Sequence, residues 1–491
     1  MFPAPITADR SASSQFTRRA CNLFPHAVSY SDMKRFIISF GAFCLIGLCV
    51  TGIVLIARWQ RQGVLMRQFA AAGPANLARE EVLARQAGMA LTPEQMQRPL
   101  PPIEQNAAPL YTTLTGLLHD KPLGLPKYAE GMDAFHSYTP EQIALVRRTL
   151  IARPDVMALV HQAADKPQCV FVRGWNNPFT ATFPEYLPMR EAARLLKTES
   201  YLLARDGKYH EAILNQQRGF RVAEQSASDP VLISFLVGTA CYSLTLSGMQ
   251  SILALAGPNA AVDSEVQRTV LENHMHLSLR RAMAGETGFG FVCLSRMHTA
   301  ENQGAAAALA AGGFDDGESQ KAMLSAAEKQ NLHALIDAWQ ADYLNHMRPL
   351  VLAGDQPPQA RRAAFAAVSS RLDQEQKQAS DPTHLLSLIL LPVFGRVDEN
   401  ETRSQAQTAV TLAAASLFKL KAQTGVFPAS LPAQFVDPFT NKPLGYRLEG
   451  TNGFVVYSAG PTGTFDGGKP GDKWDNQKIV FRYPLVPVPP L

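Results

Sequence analysis

At 491 residues the chain is long enough for two or three domains and a sizeable core. With 46% hydrophobic and 18% charged residues it has the make-up of a folded protein, and a net charge of +4 without any basic block gives no nucleic-acid footprint. Six cysteines without a CxxC pair, of which only Cys169, Cys241 and Cys293 lie beyond the first apolar run, make neither a disulfide framework nor a zinc site.

Residues 1–32 carry Ser, Ala and Arg without an apolar period and are expected to be disordered. Met33-Lys34-Arg35 reads as an alternative translation start, which would leave 1–32 untranslated. The run 36–57, from Phe36 to Ala57, has 22 residues without a charge. At about 1.5 Å per residue a helix of that length spans roughly 33 Å, enough for the hydrocarbon core of a bilayer. It is longer than the core of a signal peptide and ends in Ile56-Ala57-Arg58-Trp59, an interfacial flank. Residues 33–62 are therefore assigned as an uncleaved transmembrane anchor. Lys34 and Arg35 before it nearly balance Arg58, Arg61 and Arg67 after it. The short leading segment decides the orientation, with the N-terminus inside and the folded mass exported to the periplasmic side.

Residues 63–400 are expected to form one α-helical exported domain. Segment 63–97 is charged and alanine-rich and predicts a helical stalk, which Pro99, Pro101 and Pro102 end. Asn106 is placed to cap a helix over 107–119, and Thr139-Pro140-Glu141 starts another. Prolines 167, 178, 184 and 188 with several aromatics predict an irregular packed segment. Two amphipathic helices, 190–205 and 209–226, are joined by Asp206-Gly207-Lys208, where Gly207 supplies the left-handed turn. The string Gly207-Lys208-Tyr209-His210-Glu211-Ala212 resembles the hairpin turn of a tetratricopeptide repeat (TPR). The resemblance covers one unit, so it implies TPR-like packing rather than an array. Asp229-Pro230 opens a strongly apolar helix to Ala256, read as a core helix and not a second span. Further helices are expected over 263–274, 278–298, 318–353 and 357–378, with a glycine- and alanine-rich loop at 301–318 and a short apolar run at 385–391.

The ionisable residues suggest no catalytic constellation. His274 and His276 are two apart and face different sides of a helix, and His333 and His346 are too far apart to share a turn. His210-Glu211 lacks the second histidine of HExxH, because position 214 is Leu214. GxSxG, P-loop and GxGxxG patterns are missing. No catalytic or cofactor-binding residue is assigned and the chain is not expected to be an enzyme. The alternative is an envelope hydrolase whose site is assembled from distant residues.

Residues 401–491 hold the most ordered signals. An alanine-rich helix over 401–424 ends at Gly425, and a turn-rich passage follows. Tyr446-Arg447-Leu448-Glu449, Phe454-Val455-Val456-Tyr457 and Ile479-Val480-Phe481-Arg482-Tyr483 predict three strands, with Gly450-Thr451-Asn452-Gly453 as a hairpin turn. One helix against a small antiparallel sheet is the expected α+β module, which makes the whole chain mainly α. The order of Gly425, Phe427, Pro428, Leu431, Asp437-Pro438-Phe439, Tyr446, Tyr457-Ser458, Gly460, Gly463, Gly467 and Gly468 resembles the C-terminal half of the major pseudopilins of type II secretion. Together with the anchor and the helical body it resembles large bacterial envelope proteins that end in such a module.

The resemblance implies a link to secretion and a calcium site in the final loop. Thr462 and Lys478 stand where two of the expected carboxylates belong, leaving Asp466, Asp472 and Asp475 as calcium candidates. A pilin polymerises through an apolar N-terminal helix running straight into its head. Here the apolar run lies far upstream and holds no glutamate, so neither pilus assembly nor prepilin processing is expected. The expected function is a membrane-anchored scaffold that binds other envelope proteins, with a calcium-dependent assembly or adhesion module as a further alternative.

Overall fold

The computed structural model describes residues 71–273, 278–299, 326–377, 384, 387, 395–469 and 479–489. The N-terminal segment, the expected anchor with Phe36 and Ala57, the expected loop at 301–318, most of 385–391, and Asp472 and Asp475 lie outside the described residues. Within them the chain is mainly helical, with one three-stranded antiparallel sheet near its end.

Helix α1 (Gly73–Gln86) corrects the stalk expected from its charges. It packs along α11 (Ala326–Ala353). Gly73, Glu80 and Ala84 are buried on one face, and the buried Glu80 accepts from Arg348 Nη1 at 2.5 Å. A charged residue inside an alanine-rich helix reads as solvent-facing until its partner is known, and this partner is far along the chain. The short α2 (Pro93–Met96) begins with a capping box between Thr92 and Gln95.

Asn106 is not the cap expected of it: it stands one residue before Ala107, the N-cap of α3 (Ala108–Asp120), which has no side-chain cap bond. Asn106 Oδ1 accepts from Ala108 N at 3.1 Å and from Val170 N at 2.9 Å, and its Nδ2 donates to Val170 O at 3.0 Å. The start of α3 is thereby bound to the irregular stretch before residue 186. Thr139 and Gln142 form the capping box of α4 (Pro140–Ile151), which leads into α5 (Pro154–Ala164).

Three helices form the centre. The hairpin of α6 (Tyr186–Arg205) and α7 (Tyr209–Ser226) turns at Gly207, whose φ is +76°. Helix α8 (Leu232–Ala256) packs against both. By length and composition α8 is apolar enough to cross a membrane. In the fold it lies among α6, α7 and the later helices, with Phe235, Cys241, Leu246, Met249, Ile252 and Leu253 buried. Two of its threonine hydroxyls bond to carbonyls one turn back: Thr239 to Phe235 O at 2.9 Å and Thr245 to Cys241 O at 3.0 Å. This satisfies polar atoms without breaking the helix. Gly219 lets α7 and α8 approach, since a Cβ there would stand 2.6 Å from Thr245 Oγ1.

Among the described residues two large apolar cores follow from this arrangement, beside a small cluster of Met96, Trp175 and Val231. The first joins α3 to α8, α9 (Ala260–Glu272), α13 (Gly395–Thr424) and the sheet. The second joins α1, α10 (Leu279–Arg296), α11 and α12 (Pro358–Lys377) around the fully buried Trp339. Helices α8 and α13 start in the second core, at Leu232, Phe235 and Val397, and continue in the first. They run in the same direction and are joined by polar contacts, with Gln250 Nε2 donating to Thr411 Oγ1 at 2.9 Å and Ser243 facing Ser404 at 3.5 Å.

The sheet has the order β1 (Gly445–Leu448), β2 (Phe454–Tyr457), β3 (Val480–Tyr483), with Tyr446 opposite Val456 and Val456 opposite Phe481. Strand β2 is central and wholly buried. Phe418 of α13 stands edge-on to Phe454, Phe481 and Tyr483, with centroids 5.4, 5.9 and 4.7 Å away. The chain end returns to the body: Val488 N donates to Phe135 O at 3.0 Å, and Val488 O accepts from Ser137 N at 2.8 Å.

Candidate functional site: a cleft at the seam of the two cores

The C-terminal motif residues build structure. Asp437 is fully buried, and both its oxygens are spent. Oδ1 accepts from Ser458 Oγ at 2.7 Å and Phe439 N at 3.3 Å, and Oδ2 accepts from Thr440 Oγ1 at 2.9 Å and Ala459 N at 3.3 Å. The Asp437-Pro438-Phe439 and Tyr457-Ser458-Ala459-Gly460 motifs are thus two halves of one joint. Tyr446 donates its hydroxyl to Pro428 O at 2.7 Å, and Tyr457 Oη accepts from Gly467 N at 2.9 Å. Asp466 is exposed beside that last contact. The other two calcium candidates lie outside the described residues. Among the described residues no group of three His, Cys, Asp or Glu side chains is placed to hold a metal ion.

The histidines pair across helices in ways that spacing could not reveal. His333 stands 4.9 Å, ring to ring, from His298, whose Nε2 lies 3.2 Å from Asp337. His346 is fully buried, with Nδ1 at 2.9 Å from Asp342 O and Nε2 at 2.8 Å from Glu375 Oε2. Asp342 O can only accept, so Nδ1 donates to it, and with Nε2 facing the Glu375 carboxyl the surroundings favour a charged ring. Burial opposes that charge, but the bonds to Asp342 outweigh it and raise the pKa. Burial likewise pushes Asp342 up, and the hydrogen bonds from His346 and His384 overcome it, holding its carboxyl at about 2. With both nitrogens engaged, His346 pins α11 to α12 and has no free nitrogen to offer a ligand.

Two clefts open along the seam between the cores, and Ser278, the cap of α10, lines both. The first, about 430 Å³, is walled by Glu224, Asp229, Phe235 and Arg281. Behind it Arg173 lies buried over the Phe171 ring at 4.2 Å and pairs with Asp229 and Glu185, each at 2.9 Å. Tyr186 also donates to Asp229 at 2.9 Å. The acid in this wall is therefore well served.

The second cleft, about 460 Å³, is walled by Leu279 of α10, the turn from Gly354 to Pro358, and Arg361, Glu401 and Gln405. Arg361 is only 1% exposed and faces two carboxylates one turn apart on α13. Its Nε donates to Asp398 Oδ1 at 2.5 Å, and its Nη2 donates to Thr402 Oγ1 at 3.2 Å. Its Nη1 stands 3.2 Å from Glu401 Oε1 and 3.5 Å from Gln356 O. Glu401 Oε1 also accepts from Gln405 Nε2 at 3.2 Å, while Glu401 Oε2 is buried without a hydrogen-bond partner. One guanidinium thus serves two carboxylates, and Asp398 holds it more closely. The Glu401 carboxyl is raised to about 7, by burial first and then by Asp398 and Asp355, against the downward pull of Arg361. Next to Arg361, Arg362 Nη1 donates to Phe439 O at 3.2 Å and its guanidinium lies over the Phe439 ring at 5.2 Å, tying the cluster to the Asp437 joint.

Arg361, Asp398 and Glu401 went unnoticed in the sequence. The available signal was Asp398 and Glu401 three apart on one helix face. Their shared cation comes from another helix, which no local pattern announces. No family model, curated protein or solved structure matches the chain.

Proposed function

We propose that this chain is a membrane-anchored envelope scaffold, single-pass through residues 36–57, that presents an exported helical body and a pseudopilin-like module to other envelope proteins. The observation that carries the reading is α13. It is one 30-residue helix, about 45 Å long, that starts in the second core and ends beneath the sheet. A module joined to its body through a shared helix and a shared core moves with that body. Rigid placement is what a scaffold requires of a binding surface. The TPR-like α6–α7 hairpin agrees with an interaction role, as does the structural use of the pseudopilin-like motifs. A link to secretion comes from the resemblance of those motifs alone.

Affinity capture of the full chain from solubilised bacterial membranes tests this. Stable co-purification of a defined set of envelope proteins is expected. Recovery of the chain alone, together with turnover of generic ester or peptide substrates, would replace the scaffold by a hydrolase. Protease accessibility in intact spheroplasts tests the topology, and digestion of the body from the outer side is expected.

A further inference from the structure

The second cleft has an acceptor to spare. Arg361 is enclosed and its donors run to Asp398, Glu401, Thr402 and Gln356, so the cation of the wall is not available to an incoming anion. Asp398 is engaged on both sides, by Arg361 at Oδ1 and by Arg362 at 3.7 Å from Oδ2. Glu401 Oε1 is engaged twice. What remains is Glu401 Oε2, on a side chain 8% exposed in the cleft wall and without a partner. A buried carboxylate oxygen left in that state is destabilising. A single unspent oxygen does not suit a divalent cation, which takes several oxygen ligands. It suits a monovalent cation that brings its own N–H donors. Leu279, Pro357 and Pro358 flank the cleft and offer apolar walls to a methylene stem behind such a head group.

We propose that this cleft receives an ammonium or guanidinium group, carried by a basic side chain of a partner protein, that donates to Glu401 Oε2. The assignment of the group to a protein rests on the scaffold reading. The recognition of the cation rests on the cleft alone.

The test titrates the detergent-solubilised full chain by calorimetry with N-acetyl-lysine methylamide, N-acetyl-norleucine methylamide and putrescine at pH 8. The lysine compound is expected to bind roughly tenfold to a hundredfold more tightly than its uncharged norleucine counterpart. Glu401→Gln, which keeps an acceptor for Arg361, is expected to erase that difference with the helical circular dichroism unchanged. Gln356→Trp, which fills the cleft from its rim, should abolish binding independently and serves if Glu401→Gln fails to fold. Equal binding of the lysine and norleucine compounds, or a preference that survives Glu401→Gln, overturns the proposal. Putrescine binding more tightly than the lysine compound overturns the partner assignment in favour of a free diamine. Capture of the same envelope proteins by wild type and Glu401→Gln would leave the scaffold standing and remove this cleft as their docking point. Capture of none by either removes the scaffold without touching the titration.

Discussion

The two ends of α13 solve the same problem with opposite chemistry. At its C-terminal end Ala413, Ala414, Leu417 and Phe418 are fully buried in the first core. Phe418 there meets the rings of Phe454, Phe481 and Tyr483 in the sheet. At its N-terminal end Asp398, Glu401 and Thr402 are buried instead, around Arg361. The apolar end needs only shape, and its stabilisation scales with area removed from water. The ionic end needs each charge matched, and Glu401 is matched on one oxygen only. One end of the helix therefore supports the fold by shape, while the other holds a buried carboxylate oxygen without a hydrogen-bond partner.

Truncation at either end is expected to have the largest effects. Phe418→Ala should cost about 3–5 kcal/mol, because a fully buried ring with four aromatic neighbours leaves a cavity. Arg361→Met should cost about 3–5 kcal/mol by leaving two carboxylates buried without their cation. Urea unfolding of both variants measures this. The ends should part company on rescue. Adding Asp398→Leu and Glu401→Leu to Arg361→Met should restore most of the loss, since the penalty is unpaired charge and not lost shape. If the triple variant is as unstable as Arg361→Met alone, packing and not charge dominates the ionic end.

Asp437→Asn should cost about 3 kcal/mol, since an amide cannot accept on both sides and turns a donor toward Thr440 or Ala459. The expected readout is a lower thermal midpoint with faster hydrogen exchange in β2 and in the turn after it. Faster exchange confined to residues 437–441 would show that the two motifs are not one joint.

The same contrast explains what was legible in the sequence. Local signals held: the Thr139–Gln142 capping box, the Gly207 turn, the three strands and the helix ending before Gly425 all depend on neighbours in sequence. The Asp437-Pro438-Phe439 and Tyr457-Ser458 motifs were visible as separate pieces, but the bond between Asp437 and Ser458 was not, since it is made only once β2 is paired. The stalk expectation missed the packing of Glu80, because its partner Arg348 belongs to another helix. The reading that divided the chain between residues 400 and 401 placed its line inside α13, where Asp398 and Glu401 share Arg361. Charge clusters assembled from several helices leave no periodic trace, so the candidate site was the least legible part of the molecule.

The smallest expected effect is also the most specific. Glu401 has an ordinary value of 4.5 and is raised to about 7 in the fold, chiefly by burial. Between those values the folded chain keeps a proton that the unfolded chain has lost. The contribution of Glu401 to stability is therefore complete below pH 4.5, falls as pH rises, and is gone above about 7. Asp263, also raised to about 7 by burial, acts in the same direction, so the wild type alone cannot assign the slope. Glu401→Gln removes one part and leaves the other. The variant should gain on the wild type by about 2 kcal/mol between pH 5 and pH 8 and then hold that margin. Chemical denaturation at both pH values measures the margin. A margin that does not change with pH would mean that Glu401 ionises normally in the fold, and that Arg361 satisfies both of its carboxylates as fully as the sheet satisfies Phe418.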